Sequence, residues 1–228
     1  MQNFITYFFQ PKRLKLTFWL FSSLLFSVAL VAARNYVGGN HFFRFLIWNL
    51  FLAFIPYLVS SWLIYYTNNR KNILVIGGAT ALWLLFFPNA PYILTDLFHL
   101  RPRTEAPYWY DLLLILSFAW NGLILAYVSL AQMQQIFSKI FNKMVSWLFV
   151  ITSLCLSAFG IYLGRYLRWN SWDIITNPQG LAFDILDRFI HPFAHGRTWY
   201  MTLGFSAFLI VGYFTIKQLG KLAAQTEQ

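Results

Sequence analysis

Apolar residues gather into six stretches, residues 16–33, 43–66, 73–87, 110–130, 145–163 and 199–216, and the polar residues between them are sorted into two kinds. Every lysine (Lys12, Lys15, Lys71, Lys139, Lys143, Lys217, Lys221) lies in the termini or in the second and fourth loops. Every histidine (His41, His99, His191, His195) lies in the other three loops, together with every acid except Asp111, which opens the fourth stretch next to the third loop, and Glu227. One side of the pattern is plain lysine. The other brings Asp, Glu, His and Arg together, and chemistry is expected there.

A helix needs about 20 apolar residues to cross roughly 30 Å of hydrocarbon, and five of the stretches meet that. The third is short and must borrow Pro88 and the residues after it. Six spans are expected, with five, or a re-entrant third segment, as the alternative. Lipid offers no water to backbone amides, so the spans read as helices rather than open strands. The expected fold class is all-α: one polytopic membrane helix bundle, with a short broken helix after the third stretch and an amphipathic helix on the outer surface. Lys and Arg in short loops, and above all the first basic cluster, place both termini in the cytoplasm, with residues 1–15 and 217–228 as cytoplasmic ends. The expected location is therefore the cell membrane.

Composition then removes several function classes. The chain is 59% hydrophobic and 11% charged, which excludes an ordinary soluble domain. Its net charge of +10 would suggest nucleic acid in a soluble protein. Here the lysines serve as topological signals and contacts to anionic lipid, so membrane lipids are expected as partners and nucleic acid is not. Protein partners are not legible. Cys155, the single cysteine, falls inside the fifth span, which leaves no disulfide and no cysteine metal site. The first apolar run ends without a clear small-x-small cleavage site and reads as an uncleaved helix rather than a signal peptide.

The outer segments carry the candidate chemistry. Pro88 and Pro91 interrupt the third span, and Asn89 is placed to cap a new helix there. At about 100° per residue Tyr92, Thr95, Asp96 and His99 then form one polar stripe, with Leu94, Leu97 and Phe98 facing away. Asp96 and His99 are the candidate acid/base pair. Asn89, Tyr92, Arg165, Arg168 and Asp173 are the candidates for substrate or anion binding, because arginine favours bidentate recognition of phosphate or carboxylate. The plainer reading makes Asp96 the partner of an arginine, Arg165 and Arg168 interfacial anchors, and Trp169 and Trp172 belt residues. Gly160 and Gly164 have the small-xxx-small spacing of close helix packing. Residues 181–190 form an amphipathic helix in which Asp184 and Arg188 are spaced as an i,i+4 ion pair. His191 and His195 could share a metal, but Pro192 stands where the zinc-protease pattern needs Glu, and neither a metal nor a cofactor is expected. Asn49 and Asn121 within the spans read as interhelical hydrogen bonders.

The blocks at residues 49–56, 88–99 and 160–173, above all Pro-Asn-x-Pro-Tyr followed by Thr-Asp and His, resemble the signature of a bacterial membrane-protein family, domain of unknown function (DUF) 1361. The resemblance covers roughly residues 20 to 215. It implies a polytopic membrane protein and brings no reaction with it. Three functions stay open: an enzyme or binder acting on an anionic membrane lipid or polyprenyl phosphate, a structural or assembly protein whose polar cluster locks the outer loops, and a small-solute transporter. The last is disfavoured because no span carries an acid or lysine at mid-depth.

Overall fold

The computed structural model describes residues 11–39, 41–70, 72–103 and 105–226. Residues 1–10, Lys71 and Glu227 lie outside the described residues. Among the described residues every regular element is helical, and six helices are long and apolar enough to cross a membrane: Leu14–Gly38, Arg44–Asn68, Ile73–His99, Tyr108–Ile140, Lys143–Tyr166 and Gly196–Leu222. The third span does borrow the residues after Pro88, and the count of six holds. The chain divides into two compact units, residues 1–140 and 141–228.

Unit 1 contains α1 (Pro11–Gly38), α2 (Arg44–Asn69), α3 (Ile73–Phe86), the single turn α4 (Asn89–Tyr92), the 3-10 helix η1 (Ile93–His99) and α5 (Tyr108–Ile140). The paired helices α2 and α5 are its centre; α1 leans on α5, and the broken third span packs on both. Both α2 and α3 are apolar on every side, as a helix surrounded by protein and lipid must be. Large side chains such as Phe18, Trp19, Phe21, Trp48 and Trp120 are exposed and would face hydrocarbon.

Between helices in lipid the hydrophobic effect gives little, so polar side chains do the fastening, at about 1 kcal/mol each. Asn121 on α5 donates to Ser27 Oγ (2.8 Å) and to the Ser23 carbonyl (3.1 Å) on α1. Gln132 Oε1 on the same helix accepts from Ser60 (2.6 Å) and Ser61 (3.2 Å) on α2. Pro56 lies within α2 without ending it.

The break in the third span is settled by its own backbone. Near the first proline, the Ala90 N–H turns to the Phe87 carbonyl (3.1 Å), and the Phe86 carbonyl loses the amide that a continuing helix would give it. Asn89 Nδ2 supplies that bond instead, at 2.9 Å. Asn89 therefore ties backward to α3 rather than capping forward as its sequence position suggests. The chain continues as seven residues of 3-10 helix, a long run for that geometry and a mark of strain or function. At three residues per turn the expected stripe becomes two adjacent rows, Tyr92–Thr95–Phe98 and Ile93–Asp96–His99, and Phe98 is exposed.

This bent segment lies against α5 at Gly122. A Cβ there would collide with the Ala90 carbonyl and crowd Ile93, so only glycine admits the turn. Gly160 and Gly164, the pair the spacing singles out, are half-buried.

Unit 2 contains α6 (Lys143–Tyr166), α7 (Asp173–Thr176), α8 (Pro178–Ile190) and α9 (Gly196–Thr226), with α6 running along α9. Asn142 accepts from the Val145 amide (2.8 Å) at the start of α6, and Asn177 accepts from Gly180 (3.1 Å) at the start of α8, where Pro178 takes the first turn. Trp147 stacks on Phe214 at 4.9 Å. Helix α8 is amphipathic as expected. Its polar residue Arg188 is buried, while Phe183, Leu186, Phe189 and Ile190 are exposed, the orientation that suits a membrane surface.

Substituting Gly122 by Ala should destabilise the protein by about 1–3 kcal/mol, because a backbone carbonyl cannot move aside cheaply. Gly78→Ala, where nothing lies within 4 Å of the new Cβ, is the control and should be neutral or stabilising. Thermal melts in detergent compare the two. Equal stability for both variants would contradict the close approach of α4 to α5.

Candidate functional site

In unit 1 the candidate chemistry centres on Asp96, which is 1% exposed. Its Oδ2 accepts a 2.9 Å hydrogen bond from Asn49 Nδ2 on α2, and its Oδ1 lies 3.8 Å from His99 Nδ1 one turn along η1. The 3-10 turn places His99 over Asp96, and the same ring nitrogen stands 3.3 Å from the Asp96 carbonyl. His99 is about one-third exposed and packs its ring 4.9 Å from Phe45. Arg103 closes the outer side. Its Nη2 reaches the His99 carbonyl at 3.5 Å, and its guanidinium lies 3.7 Å over the Phe42 ring, a close cation–π contact. Thr95 bonds the Tyr92 carbonyl (2.7 Å). Within unit 1 the structure thus brings Asp96, His99 and Asn49 together, with Asn89 and Tyr92 on the same broken segment.

A buried charge pair lies nearby in the same unit. Arg34 Nε at the end of α1 donates to Asp111 Oδ1 at 2.8 Å near the start of α5, and both side chains are 1% exposed. Glu105 stands 3.6 Å from Arg34 Nη2, while the terminal nitrogens of Arg34 have no hydrogen-bond partner among the described residues. Cutting one partner of such a pair costs about 3–5 kcal/mol, because the other charge is left buried. Sequence reasoning counted Arg34 and Asp111 only as outer charges, and read Asn49 only as an interhelical amide. The pairing had one signal: an arginine closes the first span and an acid opens the fourth, on the same side of the pattern.

In unit 2, Arg165 lies in the last turn of α6 and is half-buried, but Arg168 does not project beside it as helical spacing implies. The helix has ended, and Arg168 adopts φ 61°, the left-handed region normally left to glycine at a helix end. The Leu167 and Trp169 amides both reach back to the Leu163 carbonyl, at 3.1 and 3.2 Å. Trp169 is more than a belt residue: its indole N–H donates to Asp184 Oδ2 on α8 at 2.7 Å. Asp184 also takes the expected ion pair from Arg188 at 2.8 Å, so this acid fastens α8 to the end of α6. Asp173 closes a local turn, accepting from the Asn170 amide (2.7 Å) and from Thr176 Oγ1 (2.8 Å). The Asn170 amide, with Thr176, holds its carboxyl below the usual carboxylate range.

His191 and His195 converge on one acid. His191 Nδ1 meets Asp187 Oδ1 at 3.0 Å and His195 Nε2 meets Oδ2 at 2.7 Å. The bond from His191, and then that from His195, lowers the Asp187 carboxyl below its ordinary value. Among the described residues no three His, Cys, Asp or Glu side chains form a metal-ligating group.

A family model described as a protein of unknown function, DUF1361, matches residues 48–211, more than two-thirds of the chain. The chain belongs to the DUF1361 family. No curated protein and no solved structure matches it. The matched region of this DUF1361 protein takes in Asn49, Asp96, His99, Asp111 and both candidate arginines of unit 2; Arg34 lies before it.

The strain at Arg168 predicts an unusual result. Arg168→Gly should be about 1 kcal/mol more stable than Arg168→Ala, since glycine alone removes the left-handed penalty. Melting both in the same detergent reads the difference, and an alanine variant as stable as the glycine one would contradict the left-handed turn.

Proposed function

We propose that this DUF1361 protein binds an anionic, membrane-resident substrate, a phospholipid or polyprenyl phosphate, at the outer face of the cell membrane and performs proton chemistry on it. In this reading both termini are cytoplasmic. Membrane crossings then carry the end of the third span and the end of the fifth to the same side. Arg165 and Arg168 hold the phosphate through charge-assisted hydrogen bonds, and Asn89, Tyr92 and Asp173 are further candidates for substrate contacts. Asp96 and His99 form the acid/base pair.

The observation that carries the reading is the Asp96 carboxylate, 1% exposed, held by Asn49 with His99 one turn away on a strained 3-10 segment. A carboxylate beside a histidine at the rim of a membrane span is a costly arrangement that packing alone does not require. His99, with a third of its surface open, can exchange protons with a bound molecule.

A second reading, a structural lock, draws on the other acids. Asp173, Asp184 and Asp187 are all engaged in hydrogen bonds within unit 2. Native mass spectrometry of the detergent-solubilised protein, titrated separately with polyprenyl monophosphate and phosphatidic acid, distinguishes the two readings. Substrate binding predicts a one-to-one adduct with one of these lipids, weakened about tenfold or more by the Arg165→Gln/Arg168→Gln double change and retained by Asp96→Asn. Absence of either adduct, with the double change only lowering the melting temperature, would leave the lock.

A further inference from the structure

Helices α1 and α2 both lean on α5 and leave an open groove of about 460 Å³ between them. Its walls are Val28, Val31, Ala32 and Asn35 on α1, and Arg44, Ile47, Trp48 and Phe51 on α2. The two helices are consecutive spans and run in opposite directions, so the lining is ordered by depth. Val28 and Phe51 stand at the deep end, Asn35 and Arg44 at the outer end. Eight residues of helix on each wall, seven rises of about 1.5 Å, make the groove about 10 Å long, most of the roughly 15 Å of one leaflet. It is apolar throughout except at its outer end.

The outer end has two unmet demands. Arg44 is exposed, with no ion pair among the described residues, and offers a guanidinium where lipid phosphates lie. Asn35 Oδ1 is buried and has no hydrogen-bond donor among the described residues. A phosphate alone would satisfy the first group and leave the second. The occupant that satisfies both carries an anionic phosphate and a donor beyond it, with an acyl chain to fill the groove. We infer that the groove is a binding site for one anionic glycerophospholipid with a hydroxyl-bearing headgroup, its chain between α1 and α2, its phosphate on Arg44 and its headgroup hydroxyl on Asn35. This site is on the other side of α2 from Asp96: Phe45 and Asn49 face η1, while Arg44, Ile47, Trp48 and Phe51 line the groove. It does not depend on the proposed function.

The test is native mass spectrometry of the full-length protein in detergent, titrated with phosphatidylglycerol and, separately, phosphatidylcholine. Ala32 is exposed on the groove wall, so Ala32→Trp fills the groove without disturbing the helix contacts. Ala32→Trp should lose the phosphatidylglycerol adduct. Arg44→Gln should weaken it about tenfold, the worth of one charge-assisted hydrogen bond, and leave phosphatidylcholine unchanged. The Arg165→Gln/Arg168→Gln double change should leave the adduct as in wild type, which separates this site from the proposed substrate site. Equal phosphatidylglycerol binding by wild type, Ala32→Trp and Arg44→Gln overturns the inference. So does an adduct lost in the Arg165→Gln/Arg168→Gln double change and kept in Ala32→Trp. Should Ala32→Trp fail to fold, Arg44→Gln on its exposed side chain decides by the same criterion.

Discussion

In hydrocarbon every backbone polar group must find its partner inside the protein, and this chain is hardest pressed where Pro88 and Pro91 interrupt the third span. The shape of unit 1 follows from how that demand is met. Asn89 gives its amide to the stranded Phe86 carbonyl, the backbone tightens into a 3-10 helix, and the bent segment presses on α5 at the one position without a side chain. Three residues per turn then stack His99 over Asp96 and aim the carboxylate at Asn49. A regular helix would have avoided all of this. The candidate chemistry is thus a consequence of the break and of the hydrogen bonds that repair it.

The ends of the helices also show how costly charges are kept. Arg34 and Asp111 are removed from solvent as a close pair, which fixes α1 to α5. Asp184 divides itself between an indole and a guanidinium and fixes α8. Asp187 holds two histidines. Asp96 combines the two settings: it is as buried as Asp111 and, like Asp187, has a histidine beside it. Arg168 stands where glycine would cost less, in the left-handed turn that ends α6.

Much of the fold was legible in the sequence because lipid imposes length and polarity rules that a single chain must obey. The six spans, the amphipathic α8 and the interhelical role of Asn121 all follow from such rules. What escaped depends on contacts between distant segments. Neither the Arg34–Asp111 pair, seventy-seven residues apart, nor the fit of Gly122 against Ala90 leaves a local pattern. The role of Asn89 was misread because a capping residue and a carbonyl-mending residue look alike beside a proline. The stripe through Asp96 was nearly right, but 100° per residue is the wrong period for a 3-10 helix. Gly160 and Gly164 had the recognisable spacing, yet the glycine on which the bent segment depends has no motif around it.

The pairing of Asp96 with His99 is most directly tested by a double-mutant cycle. Asp96→Asn is combined with His99→Gln, and unfolding free energies are measured in one detergent. If the two side chains act as a pair, the cycle yields a coupling of about 0.5–3 kcal/mol, and removing both costs less than the sum of the single changes. Additive effects within about 0.5 kcal/mol would contradict the pairing.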